Sequence, residues 1–291
     1  MGIDSLTPAL RDRVLARLGL PAPPPAGLEG LRAVYAAWCA GVPFDNVRKM
    51  IALRSGPARP LPGRDASDFF TGWLEYGAGG TCWATSHALC ELLLSLGFAA
   101  RPVAASMRDA GVLNHGTVAV AFDGQHWLVD SSLLTGIPLP LGTEVFVSPD
   151  AVLAAEVEPE NGTHVIWADV PPNEGYLACR LLVDPSDRAT CLERYEASRE
   201  RSPFNQRLYA RRNRPGALVV LFGNRRLEKT AAGVETRDLS RARMRASLIE
   251  EIGLAPGLVD DWIAAGGLDA SFEPPSGPPP PPLNRRPPSQ R

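Results

Sequence analysis

The sequence predicts an α+β chain, with a helical first third, an antiparallel sheet or barrel in the middle and a mixed final third. Three observations carry this. Apolar residues recur at helical spacing from Pro8 to Leu96, the period changes to two from Arg101 onward, and Asp123-Gly124 separates two strand-like runs.

The first helix is expected over Pro8–Leu18, where Leu10, Val14, Leu15 and Leu18 share a face and Gly19 ends the run before the prolines at 21 and 23–25. A second helix is expected over Leu28–Ala40, and Gly41-Val42-Pro43-Phe44 turns the chain into an irregular stretch reaching Pro62. An amphipathic helix follows over Ala66–Tyr76, then an apolar one over Cys82–Leu96. Strands are expected over 103–107, 116–122, 125–131, 145–147, 164–167 and 178–183. Asp and Gly both tolerate the positive φ of a type I′ turn, so 116–122 and 125–131 form a hairpin. After Pro185 come a helix near 189–200, strands over 217–222 and 225–229, and a helix over 240–252 ended by Gly253. Residues 272–291 are proline-rich without apolar period and are expected to be an extended, disordered tail, with a proline-binding partner as an alternative.

With 291 residues, 45% of them hydrophobic and 21% charged, the composition is that of a soluble globular protein, and a net charge of -2 gives no reason to expect nucleic acid or acidic lipid as a partner. Arginines crowd between Arg199 and Arg226, but Glu193, Glu196 and Glu200 alternate with the first of them. A solvated helix face is the expected reading, and an anion site the alternative. Five cysteines, at 39, 82, 90, 179 and 191, have no regular spacing and no C-x-x-C pair, which argues against a disulfide framework or a zinc site. No basic-then-apolar leader, long apolar run or myristoylation signal (Leu6 stands at its Ser/Thr position) is present. The expectation is a cytoplasmic protein without metal, permanent cofactor or membrane anchor.

Gly79-Gly80-Thr81-Cys82-Trp83 is the most informative stretch. A glycine turn delivers a thiol to a helix N-terminus, where free backbone N–H groups and the helix dipole favour thiolate. Such a nucleophile needs an imidazole to take its proton and a third group to hold the ring. With a two-residue turn at 123–124, Phe122 faces Gln125, His115 falls opposite Ser132 and Asp130 opposite Thr117. His115 and Asp130 then share a face on a diagonal that one hydrogen bond can span. His126 shares the face but lies beside the turn. His87, five residues into the helix, points away from the thiol, and Cys39 and Cys90 read as core. Cys82 as a small buried residue, His115 as a loop histidine and Asp130 as a strand end are the alternatives.

These residues resemble the arylamine N-acetyltransferase family over about residues 5–270. The likeness is carried by Leu15-Ala16-Arg17-Leu18-Gly19-Leu20, Val42-Pro43-Phe44-Asp45-Asn46, Gly79-Gly80-Thr81-Cys82, Leu96-Gly97-Phe98, His115, Trp127-Leu128-Val129-Asp130 and Ser202-Pro203-Phe204. The resemblance implies a cysteine-protease-like core. A helical domain would span 1–98, a β-barrel domain with His115 and Asp130 would span 99–200, and an α/β lid 201–271. It further implies that Cys82, His115 and Asp130 catalyse ping-pong transfer from acetyl-CoA to an arylamine, hydrazine or related amine. Phe44, Met107, Leu133 and Phe204 would line the acceptor cleft, with core packing as their alternative. Ala78, Ala84 and Ser86 depart from the family's usual residues, as does Ser131-Ser132-Leu133-Leu134, where a Gly-Phe-Gly-like turn is usual. The altered turn keeps open an amide synthase using a longer or carrier-protein-bound acyl group. A cysteine hydrolase and a non-catalytic binding module are the rivals from other classes.

Overall fold

The computed structural model describes residues 6–57, 60–142, 145–147, 154–158, 164–168, 170–173, 175–181 and 188–274. The tail expected over 272–291 lies outside them beyond Pro274. Thr7 starts α1 (Pro8–Arg17) by accepting the Leu10 N–H on Oγ1 at 3.3 Å, with Pro8 in the first turn where its missing N–H costs nothing. α2 (Leu28–Gly41) buries Leu31, Val34, Tyr35 and Trp38 along one stripe. The stretch read as irregular holds β1 (Phe44–Asp45) and α3 (Val47–Arg54). α4 (Ala66–Tyr76) begins under the Asp65 carboxylate and stops at Gly77, whose φ of 70° suits a residue without Cβ. α5 (Cys82–Ser95) is buried at every position from Cys82 to Leu93, as an apolar helix without a polar face must be.

The middle of the chain forms an antiparallel sheet of eight strands: β2 (Ala99–Met107), β3 (His115–Phe122), β4 (Gln125–Val129), β5 (Leu139–Pro140), β6 (Val145–Val147), β7 (Ala154–Glu158), β8 (His164–Ala168) and β9 (Tyr176–Leu181). Their spatial order is β5-β4-β3-β2-β9-β8-β7-β6. Among the described residues no ladder joins β5 to β6. Asp123 and Gly124 have φ of 47° and 75°, and Phe122 faces Gln125, as the turn chemistry predicts. The paired register runs back to Val118 opposite Val129 and ends there; Asp130 follows β4 rather than belonging to it.

After α6 (Arg188–Ala197), a second sheet is ordered β1-β10-β11-β12-β13, with β10 (Tyr209–Arg214), β11 (Ala217–Phe222), β12 (Arg225–Thr230) and β13 (Gly233–Asp238). α7 (Arg241–Ser247) runs into a π-helical turn at Leu248–Ile252, and α8 (Pro256–Ala264) and α9 (Gly267–Phe272) close the described chain. One core gathers Trp38, Phe69, Phe70 and Trp73 under α5. A second lies between the sheets, where Val103, Ala105, Leu128 and Leu133 meet Leu218 and Val220. A third packs Met50, Leu221, Met244 and Trp262 behind the second sheet. No helix among the described residues is long and apolar enough to cross a membrane.

Candidate active site

β1 fixes the turn that presents Cys82. Phe44 bridges Gly80 in parallel, the Asp45 N–H donates to the Gly80 carbonyl at 3.2 Å, and the Gly79 N–H donates to Asp45 Oδ2 at 2.7 Å. A Cβ on Gly79 would lie 1.8 Å from the Pro43 carbonyl oxygen, so glycine is required for the approach. Burial pushes the Asp45 carboxyl up to about 6, against the N–H groups of Gly79 and Val47 that favour its charge. Thr81 is extended and makes no side-chain cap, leaving Cys82 as the first residue of α5 at the positive end of the helix.

Two of the residues singled out from the sequence, His115 and Asp130, meet here, and Cys82 Sγ lies 4.0 Å from the carbonyl of Asn114, the residue before His115. His115 Nε2 lies 2.7 Å from Asp130 Oδ2, with the two side chains only 4% and 1% exposed. With Nε2 engaged by the Asp130 carboxylate, Nδ1 is the ring nitrogen left for another partner, and His115 is near enough to Cys82 to favour its ionised form. Burial would raise the thiol, but the hydrogen bond and charge of His115 outweigh it and hold Cys82 below its ordinary value of 9. The Gly116 N–H and the ammonium of Lys49 act in the same direction. Burial likewise works against the imidazolium, yet Asp130 and Cys82 lift the ring to about 10. Asp130 is driven up by burial and more than returned by His115 and by the N–H groups of Leu133 and Ser132, so it titrates below its ordinary 3.8. All three shifts favour the charged forms: the Cys82 thiol is lowered, the His115 ring raised and the Asp130 carboxyl lowered.

The turn after Asp130 is fastened on every side. Asp130 Oδ1 accepts the Ser132 and Leu133 N–H groups, each at 2.8 Å, and the Tyr35 hydroxyl donates to the Asp130 carbonyl at 2.8 Å. Ser86 Oγ donates to the Gly116 carbonyl at 2.6 Å and meets Ser131 Oγ at 2.8 Å, while Ser131 donates to Thr85 Oγ1 at 2.8 Å. Two of the residues that depart from the family pattern, Ser86 and Ser131, are thus partners. Together they tie α5 to both β3 and the turn. Leu134 has a φ of 50°, a left-handed conformation that costs a non-glycine residue roughly 1–2 kcal/mol.

Phe44 and Phe204 come together, with ring centroids 5.2 Å apart, and Tyr209 meets both at 5.5 and 5.3 Å. Leu133 is buried in the core between the sheets, and Met107 is half-buried against it. Tyr209 belongs to this aromatic group but sits in a strand that sequence periodicity did not reveal. Asn46 joins the parts: its Nδ2 donates to the Phe204 and Arg207 carbonyls at 2.9 and 2.7 Å, and its Oδ1 accepts the Tyr209 N–H at 2.9 Å. Asn46→Ala is expected to cost about 1–3 kcal/mol, since Asn46 is buried and its loss removes the side-chain partner of three part-buried backbone groups, at roughly 1 kcal/mol or less each, a loss readable from urea melts.

Lys49 is a buried ammonium that neither pattern nor spacing indicated. Its Nζ donates to Ser198 Oγ at 2.8 Å over the Tyr195 ring, and burial pushes it down to about 8. His87 lies away from the thiol, 3.3 Å from Arg188, and burial pushes Cys39 and Cys90 up to about 12, which suits core thiols. The crowded arginines divide. Arg199 pairs with Glu196 from the turn that follows α6, whereas Arg211 is fully buried, contrary to the solvated reading. Among the described residues no group of three or more His, Cys, Asp or Glu side chains is placed to hold a metal ion.

Comparison with known proteins decides the family. The N-acetyltransferase family profile matches residues 27–257, most of the chain. The chain belongs to the arylamine N-acetyltransferase family. Solved arylamine N-acetyltransferases share its fold at low identity. The Mycobacterium abscessus enzyme has a TM-score of 0.75 at 20% identity, over 93% of this chain and 96% of that one. The Nocardia farcinica enzyme gives 0.75 at 19%, over 89% and 95%. The Mycobacterium marinum enzyme in complex with CoA gives 0.74 at 20%, over 89% and 97%. A search of curated proteins found no significant match. This arylamine N-acetyltransferase family member is therefore divergent in sequence while keeping the arrangement of helices and sheets.

Proposed function

We propose that the chain transfers an acetyl group from acetyl-CoA to an arylamine, hydrazine or related amine through a thioester on Cys82. The observation that carries this reading is the buried line from Cys82 through His115 to Asp130, with the 2.7 Å contact at its carboxylate end. Family membership and the CoA complex of a similarly folded enzyme support the donor. In the first half-reaction the Cys82 thiolate attacks the thioester carbonyl, and the departing CoA sulfur takes the proton from His115. In the second, an amine attacks the acetyl carbon, His115 removes the amine proton, and Cys82 leaves as thiolate. Asp130 holds the ring in both steps without itself changing protonation. The edge-to-face rings of Phe44, Phe204 and Tyr209 offer an apolar, aromatic surface that suits a planar amine.

Intact-mass spectrometry tests the reading. Acetyl-CoA alone should add about 42 Da, one acetyl group, to Cys82, and an arylamine should then remove it as the acetylated amine. An unchanged mass overturns the proposal. Discharge by water faster than by amine identifies a hydrolase instead.

A further inference from the structure

We propose that Arg211 is a positioning residue for Asp130, acting through the turn that follows it, and that it takes over a task glycine at position 134 would otherwise perform. The inference rests on the catalytic reading above. Arg211, in β10, is 0% exposed, and no carboxylate pairs with it in a close ion pair among the described residues. Its Nη2 donates to the Leu133 carbonyl, while Nε and Nη1 meet no hydrogen-bond partner among the described residues. The Tyr209 hydroxyl, Asp130 and Cys39 are its polar surroundings. A guanidinium buried this way is costly, and the structure retains it at one place.

That place is the turn holding the carboxylate. Two residues along β10, and therefore on the same face, Asn213 Nδ2 donates to the Leu134 carbonyl at 2.6 Å. Arg211 and Asn213 thus grip two successive carbonyls, those flanking the Leu134 N–H and Cα, where the backbone turns left-handed at φ 50°. From the other side Tyr35 holds the carbonyl of Asp130 and meets Thr135 Oγ1 at 3.1 Å. Leucine resists this conformation, and a turn that relaxed toward negative φ would move the Leu133 and Ser132 N–H groups that fix Asp130 Oδ1. Oδ2 would then lose its aim at His115. The grip from β10 makes a glycine-free turn serve.

The test uses Arg211→Met, Leu134→Gly and the double variant in the full-length protein, with the pH dependence of Cys82 alkylation by iodoacetamide as readout. That readout needs no acyl donor or acceptor. Arg211→Met should raise the pH midpoint of alkylation and slow the reaction about tenfold at pH 7, as expected for a thiolate fraction reduced by one pH unit. Adding Leu134→Gly should restore most of the loss, because the turn then holds its shape without the clamp. A folded Arg211→Met protein with the wild-type midpoint overturns the proposal, as does failure of Leu134→Gly to restore a shifted one. Should Arg211→Met not fold, the half-buried position offers Asn213→Ala, which must shift the midpoint in the same direction and be corrected by the same glycine; no shift there overturns the proposal equally. An ordinary, unactivated thiol in the unaltered protein would instead defeat the catalytic reading itself.

Discussion

Cys82→Ser will abolish acetyl transfer, lowering turnover by at least about 10⁴-fold, and will leave the fold in place. A serine hydroxyl is a far weaker acid than a thiol and does not ionise beside an imidazole, so no resting nucleophile forms. The structural disturbance is expected to be small because serine is close to cysteine in size and the sulfur's contact with the Asn114 carbonyl is a long one, at 4.0 Å. Thermal melts should coincide with those of the unaltered protein. Residual transfer above the buffer rate, with the acetyl group located elsewhere by peptide mass spectrometry, would remove Cys82 from the mechanism.

His115→Ala should slow alkylation of Cys82 at pH 7, since the thiol loses the hydrogen bond and charge that hold it below its ordinary 9 and keeps the burial that raises it. This variant also leaves the Asp130 carboxylate buried without its counter-charge, a loss of about 3–5 kcal/mol. The pH dependence of that loss follows from the two titrations. His115 titrates higher folded than its ordinary 6.5, so its contribution is complete below 6.5 and disappears as pH rises through about 10. Asp130 titrates below its ordinary 3.8, so its contribution is complete above 3.8 and disappears as pH falls through the depressed value. The stability gap between unaltered and His115→Ala protein should be widest between 3.8 and 6.5 and should close toward pH 10, as urea melts across that range would record. A gap independent of pH would mean that the imidazole carries no charge in the folded chain.

Much of the site could be read from residue order because its parts are governed by local rules. The glycine turn before an apolar helix and the Asp-Gly hairpin each follow from short-range sterics, and the hairpin register alone places His115 near Asp130. The hidden parts are those where tertiary burial overrides composition. β10 reads Tyr-Ala-Arg-Arg-Asn-Arg, which periodicity assigns to a surface, yet Ala210 and Arg211 are buried there. α3 opens Val-Arg-Lys, and its lysine is buried against Ser198 and Tyr195. β13 is exposed at all six positions, so it has no apolar face for a pattern to reveal. The aromatic group was half visible for the same reason: Phe44 and Phe204 stand in recognisable segments, whereas Tyr209 opens the strand that arginines disguise.

Asn46 reaches across 158 to 163 residues of chain to bind Phe204, Arg207 and Tyr209. During synthesis, a ribosome that has passed Asp130 has already joined every residue of the proposed proton relay, yet the strand on which β1 leans has not been made. The nascent thiol therefore waits for its scaffold, and chemical competence arrives late, only after β10 emerges.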